Sequence, residues 1–132
     1  MAVALDTTIN TAAYEFNAYV SPEEDIIVFS SYGRPDDMGG GDLYYSVRNK
    51  AGNWTKAENM GPLVNSDALD YCPYIDFARN TFYFTSTRAL KSPGKISSVD
   101  DLRRQADGIL NGMGNIFCLR TDALDLHIGA HK

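Results

Sequence analysis

The feature that most constrains this chain is an internal repeat. INTAAYEFNAYV (Ile9 to Val20) aligns without a gap on VNSDALDYCPYI (Val64 to Ile75). The pairs Ile9/Val64, Asn10/Asn65, Thr11/Ser66, Ala13/Ala68, Glu15/Asp70, Phe16/Tyr71, Tyr19/Tyr74 and Val20/Ile75 are all 55 residues apart. The register runs on through IIVFSS (Ile26 to Ser31) and TFYFTS (Thr81 to Ser86), each followed by an arginine, Arg34 or Arg88. GGGDLYY (Gly39 to Tyr45) then meets GMGNIFC (Gly112 to Cys118) at a spacing of 73, so the second copy carries an insertion of 73 less 55, or 18, residues. A period of this size is the mark of propellers and other repeat arrays. It divides a single segment, 1–132, into repeat unit 1, residues 9–63, and repeat unit 2, residues 64–121.

Each copy reads as short strands separated by turn chemistry. Phe16 to Val20 is a first strand. Ile26 to Ser30 and Phe82 to Thr85 are short apolar and aromatic runs of the kind expected where both faces are covered. Leu43 to Val47 and Ile116 to Leu119 form a third type. Asn53 to Ala57, centred on Trp54, reads as a fourth strand of the first copy, while the second shows no evident fourth. Ser21-Pro22-Glu23-Glu24-Asp25, Arg34-Pro35-Asp36-Asp37 and Lys50-Ala51-Gly52-Asn53 are turn sequences. Four antiparallel strands per unit is the make-up of a propeller blade. The expected fold class is therefore all-β, two four-stranded antiparallel blade-like units with one short inserted helix. That helix falls within about 97–110: Ser98 stands three residues before Asp101 in a capping-box pattern, Val99, Leu102, Ala106 and Ile109 keep helical spacing, and Gly108 is a stop.

The pattern NT/NS, then E/D-aromatic-x-x-Y, S-P-E, an aromatic strand leading to an arginine, GGGDLY, GNWT and the linker MGPLVNS resembles TolB-type, WD-like β-propeller repeats. The likeness covers about four-fifths of the chain. The second unit departs from it, with Asp76-Phe77-Ala78-Arg79-Asn80 in place of a Ser-Pro-Asp turn and Asn115 opposite Asp42. The resemblance implies a periplasmic or extracytoplasmic setting. It also implies a non-catalytic binding or interaction module for a protein or glycan partner. Two alternatives stand beside that: part of a carbohydrate- or peptide-acting hydrolase, and a self-assembling structural propeller.

Candidate chemistry is thin. A P-loop needs Gly-Lys-Ser/Thr after its glycines and a following helix, whereas GGGD presents a carboxylate and then a strand. Asp36, Asp37 and Asp42 lack calcium-loop spacing. The remaining reading is a glycine connection between strands, supported by its recurrence as GMGN. Arg34 and Arg88 each follow a strand and lie near an acid of their own repeat, Glu15 or Asp70. They read either as repeated structural ion pairs or as four ligand-binding charges at a propeller mouth. NKAGNWT lacks the Ser and Asp of a sialidase Asp-box, which leaves Trp54 a packing residue. His127 and His131 are tail residues, and no Ser/His/Asp set forms around them. Glu15 with Asp70, Glu23 with Glu24, and Asp36 with Asp37 are carboxylate pairs without further support for catalysis. No cofactor or metal is expected.

The formal charge of −5 speaks against nucleic acid, which demands a cationic footprint. No apolar window has membrane-spanning length, and MAVALDTT carries no signal-peptide pattern. Cys72 and Cys118 fall on a first and a third strand of one unit. Two inter-strand spacings, about 9.5 Å, separate such positions, so they are expected as unbonded, buried thiols. Two units are fewer than the four to eight blades of a closed propeller. A homo-oligomer or further blades are therefore expected, with Tyr19, Phe29, Phe82 and Phe84 on exposed faces of an isolated pair. A monomeric two-sheet sandwich is the alternative.

Overall fold

The computed structural model describes residues 1–91, 94–124 and 126. They form an all-β arrangement with one short helix. Strands β1 (Tyr14–Val20), β2 (Ile26–Tyr32), β3 (Asp42–Val47) and β4 (Glu58–Asn59) make one antiparallel sheet in sequence order. Strands β5 (Asp70–Asp76), β6 (Thr81–Ser86) and β7 (Asn115–Arg120) make a second, also in sequence order. Among the described residues the second sheet thus has three strands rather than the four expected, and neither sheet closes.

The repeat in sequence is a repeat in register. Phe16 pairs with Ser30 and Tyr19 with Val28; Tyr71 pairs with Thr85 and Tyr74 with Tyr83. Each first strand is interrupted at the same point, between Phe16 and Tyr19 and between Tyr71 and Tyr74. Asn17 (φ 49°) and Cys72 (φ 52°), 55 apart, take left-handed backbone there. Such bulges add one residue and sharpen the strand's twist. The bulge also corrects the expectation for the cysteines. Both are free, but both are exposed, because Cys72 is turned out of the pleat and Cys118 lies on an uncovered side.

Trp54 does not centre a fourth strand. It makes an isolated bridge to Arg48, with the guanidinium 4.6 Å from its ring centre. Ser46 Oγ donates to the Thr55 carbonyl at 2.6 Å, and the Thr55 amide donates to the Val47 carbonyl at 2.9 Å. These bonds hold the chain irregular until pairing resumes at Glu58 and Asn59, opposite Tyr45 and Tyr44.

Side chains alternate across a strand, so each sheet has two faces. The leading face of unit 1 carries Ile27, Phe29, Asp42 and Tyr44, and its trailing face Ile26, Val28, Leu43, Tyr45 and Val47. By register the leading face of unit 2 carries Phe82, Phe84, Phe117 and Leu119, and its trailing face Tyr83, Thr85, Ile116 and Cys118. One core cluster joins the trailing face of unit 1 to the leading face of unit 2, with Val64 and Ile75 among its buried members. Tyr19 reaches across, its hydroxyl donating to the Ile75 carbonyl at 3.0 Å. A second cluster gathers Ile9, Ile27, Phe29, Tyr44, Trp54 and Ala57 on the leading face of unit 1.

The two units therefore stack front to back. Phe29, Phe82 and Phe84 are buried, and Tyr19 is half-buried, contrary to the expectation that they would be exposed. Among the described residues, the sheet face left without a partner is instead the trailing face of unit 2. There β6 alternates between half-buried and buried residues rather than being covered on both sides as expected, and Ile116 is 79% exposed.

The insertion forms helix α1 (Val99–Ala106). The Ser98 hydroxyl accepts from the Asp101 amide, the expected N-cap, and Gly108 follows the C-cap Asp107. Its apolar stripe is largely open: Val99, Leu102 and Ile109 are 64%, 53% and 80% exposed.

GGGD is the joint between the units. A Cβ on Gly39 would lie 2.4 Å from the Asp67 carbonyl carbon and 2.6 Å from the Ser66 carbonyl oxygen. Gly40 N donates to the Ala68 carbonyl at 3.0 Å, and Asp70 N donates to the Gly41 carbonyl at 2.9 Å. Because backbone stands on both sides of that approach, Gly39→Ala is expected to lower stability by about 2 kcal/mol or more, at the upper part of the overpacking range. Gly52→Ala is the control for positive φ, since Gly52 has open space around it and φ 80°. Denaturant midpoints that fall equally in the two variants would remove steric contact as the reason for Gly39.

Candidate functional site

The four charges singled out in the sequence form two copies of one clasp. Arg34 Nη2 donates to the Ile9 carbonyl at 2.7 Å and to Glu15 Oε1 at 3.0 Å, and its Nε donates to Ser31 Oγ at 2.9 Å. Arg88 repeats this on Val64 O at 2.5 Å, Asp70 Oδ1 at 2.8 Å and Ser86 Oγ at 2.8 Å. The guanidinium carbon of Arg34 lies 5.2 and 4.7 Å from the ring centres of Phe29 and Tyr44. That of Arg88 lies 5.4 and 4.7 Å from Phe84 and Phe117. Planar guanidinium suits this double duty, stacking on an aromatic face while its edge donates hydrogen bonds.

The acids are fixed in their turn by the first residues of each repeat. Glu15 Oε1 accepts from Thr11 N at 3.2 Å and Thr11 Oγ1 at 2.6 Å. Asp70 Oδ2 accepts from Ser66 N at 2.6 Å and Ser66 Oγ at 2.8 Å. Asp70, shorter by a methylene, divides its partners between two oxygens and is fully buried. Among the described residues no hydrogen bond or ion pair joins one clasp to the other. The structure thus brings Glu15 to Arg34 and Asp70 to Arg88.

A second polar cluster lies beside the glycine joint. The Tyr44 hydroxyl donates to Asp37 Oδ1 at 2.7 Å and contacts Asp36 Oδ1 at 3.0 Å; burial first, then the Asp37 carboxylate, push that phenol far above its ordinary range. Asp42 Oδ2 accepts from Met38 N at 2.8 Å and Asn59 Nδ2 at 2.7 Å. Burial nevertheless raises the Asp42 carboxyl above the usual aspartate range, and Asp42 Oδ1 has no hydrogen-bond partner among the described residues. Asn59 Oδ1 accepts from Asn65 Nδ2 at 2.8 Å, and the Asn65 amide closes on Leu43, accepting from its N–H at 2.8 Å and donating to its carbonyl at 2.9 Å. Asn65 completes the edge of β3 where β4 has ended. The repeat pairs Asn65 with Asn10, and its place in the repeated NS/NT motif is the sequence signal for this role.

Among the described residues no group of three or more His, Cys, Asp or Glu is placed to hold a metal ion. No helix is long and apolar enough to cross a membrane. His127 and His131 lie outside the described residues. An open groove of about 980 Å³ runs between Thr11–Ala13 on one side and Arg34, Asp36 and Asn59 on the other. In unit 2 the residues matching Thr11–Ala13 are Ser66–Ala68, and there Gly39 and Gly40 occupy the corresponding place. Comparison of the chain with family models, with curated proteins and with solved structures finds no match.

Proposed function

We propose that this chain is a non-catalytic interaction module built of two blade-like repeats of the TolB type, whose working surface is the trailing face of the second sheet. One observation carries the reading. The trailing face of unit 1 is completely covered by unit 2, with Ile26, Val28 and Leu43 each no more than 1% exposed, while the same face of unit 2 stands open. Tyr74 (54% exposed), Tyr83, Thr85, Ile116 and Cys118 lie there in adjacent register. Contiguous apolar surface of this kind usually marks an interaction site. The front-to-back stacking supports the propeller assignment, because it is a contact that further units can continue. The two clasps support a structural role for Glu15, Arg34, Asp70 and Arg88, since the repeat retains them as internal ties. A periplasmic or extracytoplasmic setting belongs to the same proposal and rests on the resemblance alone.

Ile116 provides the test. Its side chain is exposed, so Ile116→Lys is expected to leave stability within about 0.5 kcal/mol of wild type. The wild-type chain is expected to bind an apolar dye or to scatter light as more than a monomer, and the variant to lose whichever property the wild type shows. A wild type that is monomeric and dye-silent, or a variant indistinguishable from it, removes the interaction surface.

A further inference from the structure

We propose that the partner of this surface is a second copy of the same chain, whose N-terminal segment adds the missing fourth strand to β7. The inference rests on the reading above and names its occupant. Its starting point is a part of the repeat that precedes Ile9. In the linker between the units, Val64 N and Asn65 N both donate to the Gly61 carbonyl, at 3.1 and 2.8 Å. At the start of the chain, Ile9 N and Asn10 N both donate to the Asp6 carbonyl, at 3.2 and 2.9 Å. Asp6 and Gly61 are 55 apart. The turn that enters unit 2 is therefore repeated, bond for bond, at the entry to unit 1.

The residues before that turn inherit a register. Glu58 and Asn59, which are β4, correspond to Val3 and Ala4, and Met60 corresponds to Leu5. In unit 1, β4 lies along the edge of β3, and Met60 N donates to the Leu43 carbonyl at 3.0 Å. In unit 2 the matching edge, β7, has no such neighbour among the described residues. Val3 is 83% exposed and Leu5 43%. Among its described residues, one molecule thus displays a segment in fourth-strand register outside any sheet and an edge without a fourth strand. An exposed edge of this kind is a template for pairing with another chain. The 73-residue spacing sets the match: Val3 opposite Cys118, Ala4 opposite Phe117, and Leu5 N on the Ile116 carbonyl.

Two further surfaces agree with the same placement. The open groove beside Thr11–Ala13 is the counterpart of the place filled inside the molecule by Gly39 and Gly40. The loop that would fill it from another copy is Gly112–Gly114, where a Cβ on Gly112 would meet nothing within 4 Å. Asn10 is likewise positioned to do for Ile116 what Asn65 does for Leu43; at present its amide donates to the Leu5 carbonyl at 2.9 Å. The new joint is not a perfect copy of the internal one. Trp54 and Ala57 already lie on the leading face of unit 1, so Tyr83 and Ile116 meet that face through them. Contacts of this sort are heterologous, and repetition either closes a ring or extends a filament.

The experiment places one cysteine at Val3 in a Cys72→Ser background and relies on the native Cys118. Directly opposed residues of a hydrogen-bonded antiparallel pair have Cα atoms about 5.5 Å apart, within the disulfide range. Mild oxidation is expected to give chains joined through residues 3 and 118, about tenfold or more above the level in a Cys118→Ser control, because a pre-positioned pair reacts at high effective concentration. Light scattering is expected to show the wild type as a multiple of the chain mass and a variant lacking residues 1–5 as a monomer. A bond formed within one chain, no bond above the control, or unchanged mass in the shortened variant overturns the proposal. If Ile116→Lys still abolishes dye binding or self-association in that event, the interaction surface stands and only its occupant is wrong.

Discussion

Truncating Phe82 to alanine is expected to cost about 3–5 kcal/mol, the range for a fully buried aromatic, and to bring the chain close to unfolding, since domains are stable by only about 5–15 kcal/mol. Phe82 is completely buried. Its ring stacks at 5.6 Å on Phe84, and Phe84 stacks at 5.6 Å on Phe117. This row is the whole aromatic content of the leading face of unit 2, and it meets Ile26, Val28, Leu43 and Tyr45 of unit 1 in one cluster. Phe82 is the most deeply buried ring of the row, and removing it leaves a gap between the two sheets. Tyr83, the next residue, points the opposite way and is only half-buried. Tyr83→Ala is expected to cost about 1 kcal/mol. Urea unfolding of the two variants therefore reads out which side of the second sheet carries the core. A Tyr83→Ala loss equal to or greater than that of Phe82→Ala means that the units do not stack front to back.

The same pair of residues shows where the sequence was legible. TFYFTS and IIVFSS align without a gap, which is enough for strand order and for the common path of the two units, while the cap at Ser98 and the apolar spacing after it place the inserted helix. The alignment is not enough for the faces. IIVFS is apolar at every position to Phe29, so it fits a strand covered on both sides. TFYFT differs chiefly by Tyr and Thr at alternate positions, residues that tolerate either burial or water. Whether Tyr83 faces a neighbour depends on a third unit, which no local pattern reveals.

The fourth strand was misplaced for another reason. Trp54 is the strongest apolar signal between Val47 and Met60, yet it serves the leading face, and pairing is made by Glu58 and Asn59, whose side chains carry no strand signal at all. The arginines were half legible. Their repetition announced a role, and the acids at matching positions named the partners. Only the fold brings the Ile9 and Val64 carbonyls and the Ser31 and Ser86 hydroxyls to complete the same set in both units. GGGD was legible as a turn, but its reason was not local: the glycines are needed by the backbone of Ser66 and Asp67, far along the chain.

The second large effect is expected at Arg88. Asp70 is buried completely, and its partners are Arg88 and the Ser66 amide and hydroxyl. Arg88→Met keeps most of the stem that lies over Phe84 and Phe117 and deletes the charge. What remains is a fully buried carboxylate without its cation, for which a loss of about 3–5 kcal/mol is typical. Because the Arg88 side chain is 25% exposed, the lower end of that range applies. The clasp of unit 1 is the internal comparison. Glu15 is 13% exposed and sits at the rim of the sheet, where water reaches its carboxylate once the cation is gone. Arg34→Met is therefore expected to cost less than Arg88→Met, although the two arginines make the same three hydrogen bonds. A cycle with Asp70→Asn separates attraction from stranded charge. Asn at position 70 keeps an acceptor for Ser66 but has no charge to strand, so the double variant is expected to be less destabilised than the sum of the singles by about 1.5–3 kcal/mol. Additive losses in the cycle, or a larger loss at Arg34, mean that the arginines act through their stacking on the aromatic rings, and that the repeated carboxylates tie down only the turns at Thr11 and Ser66.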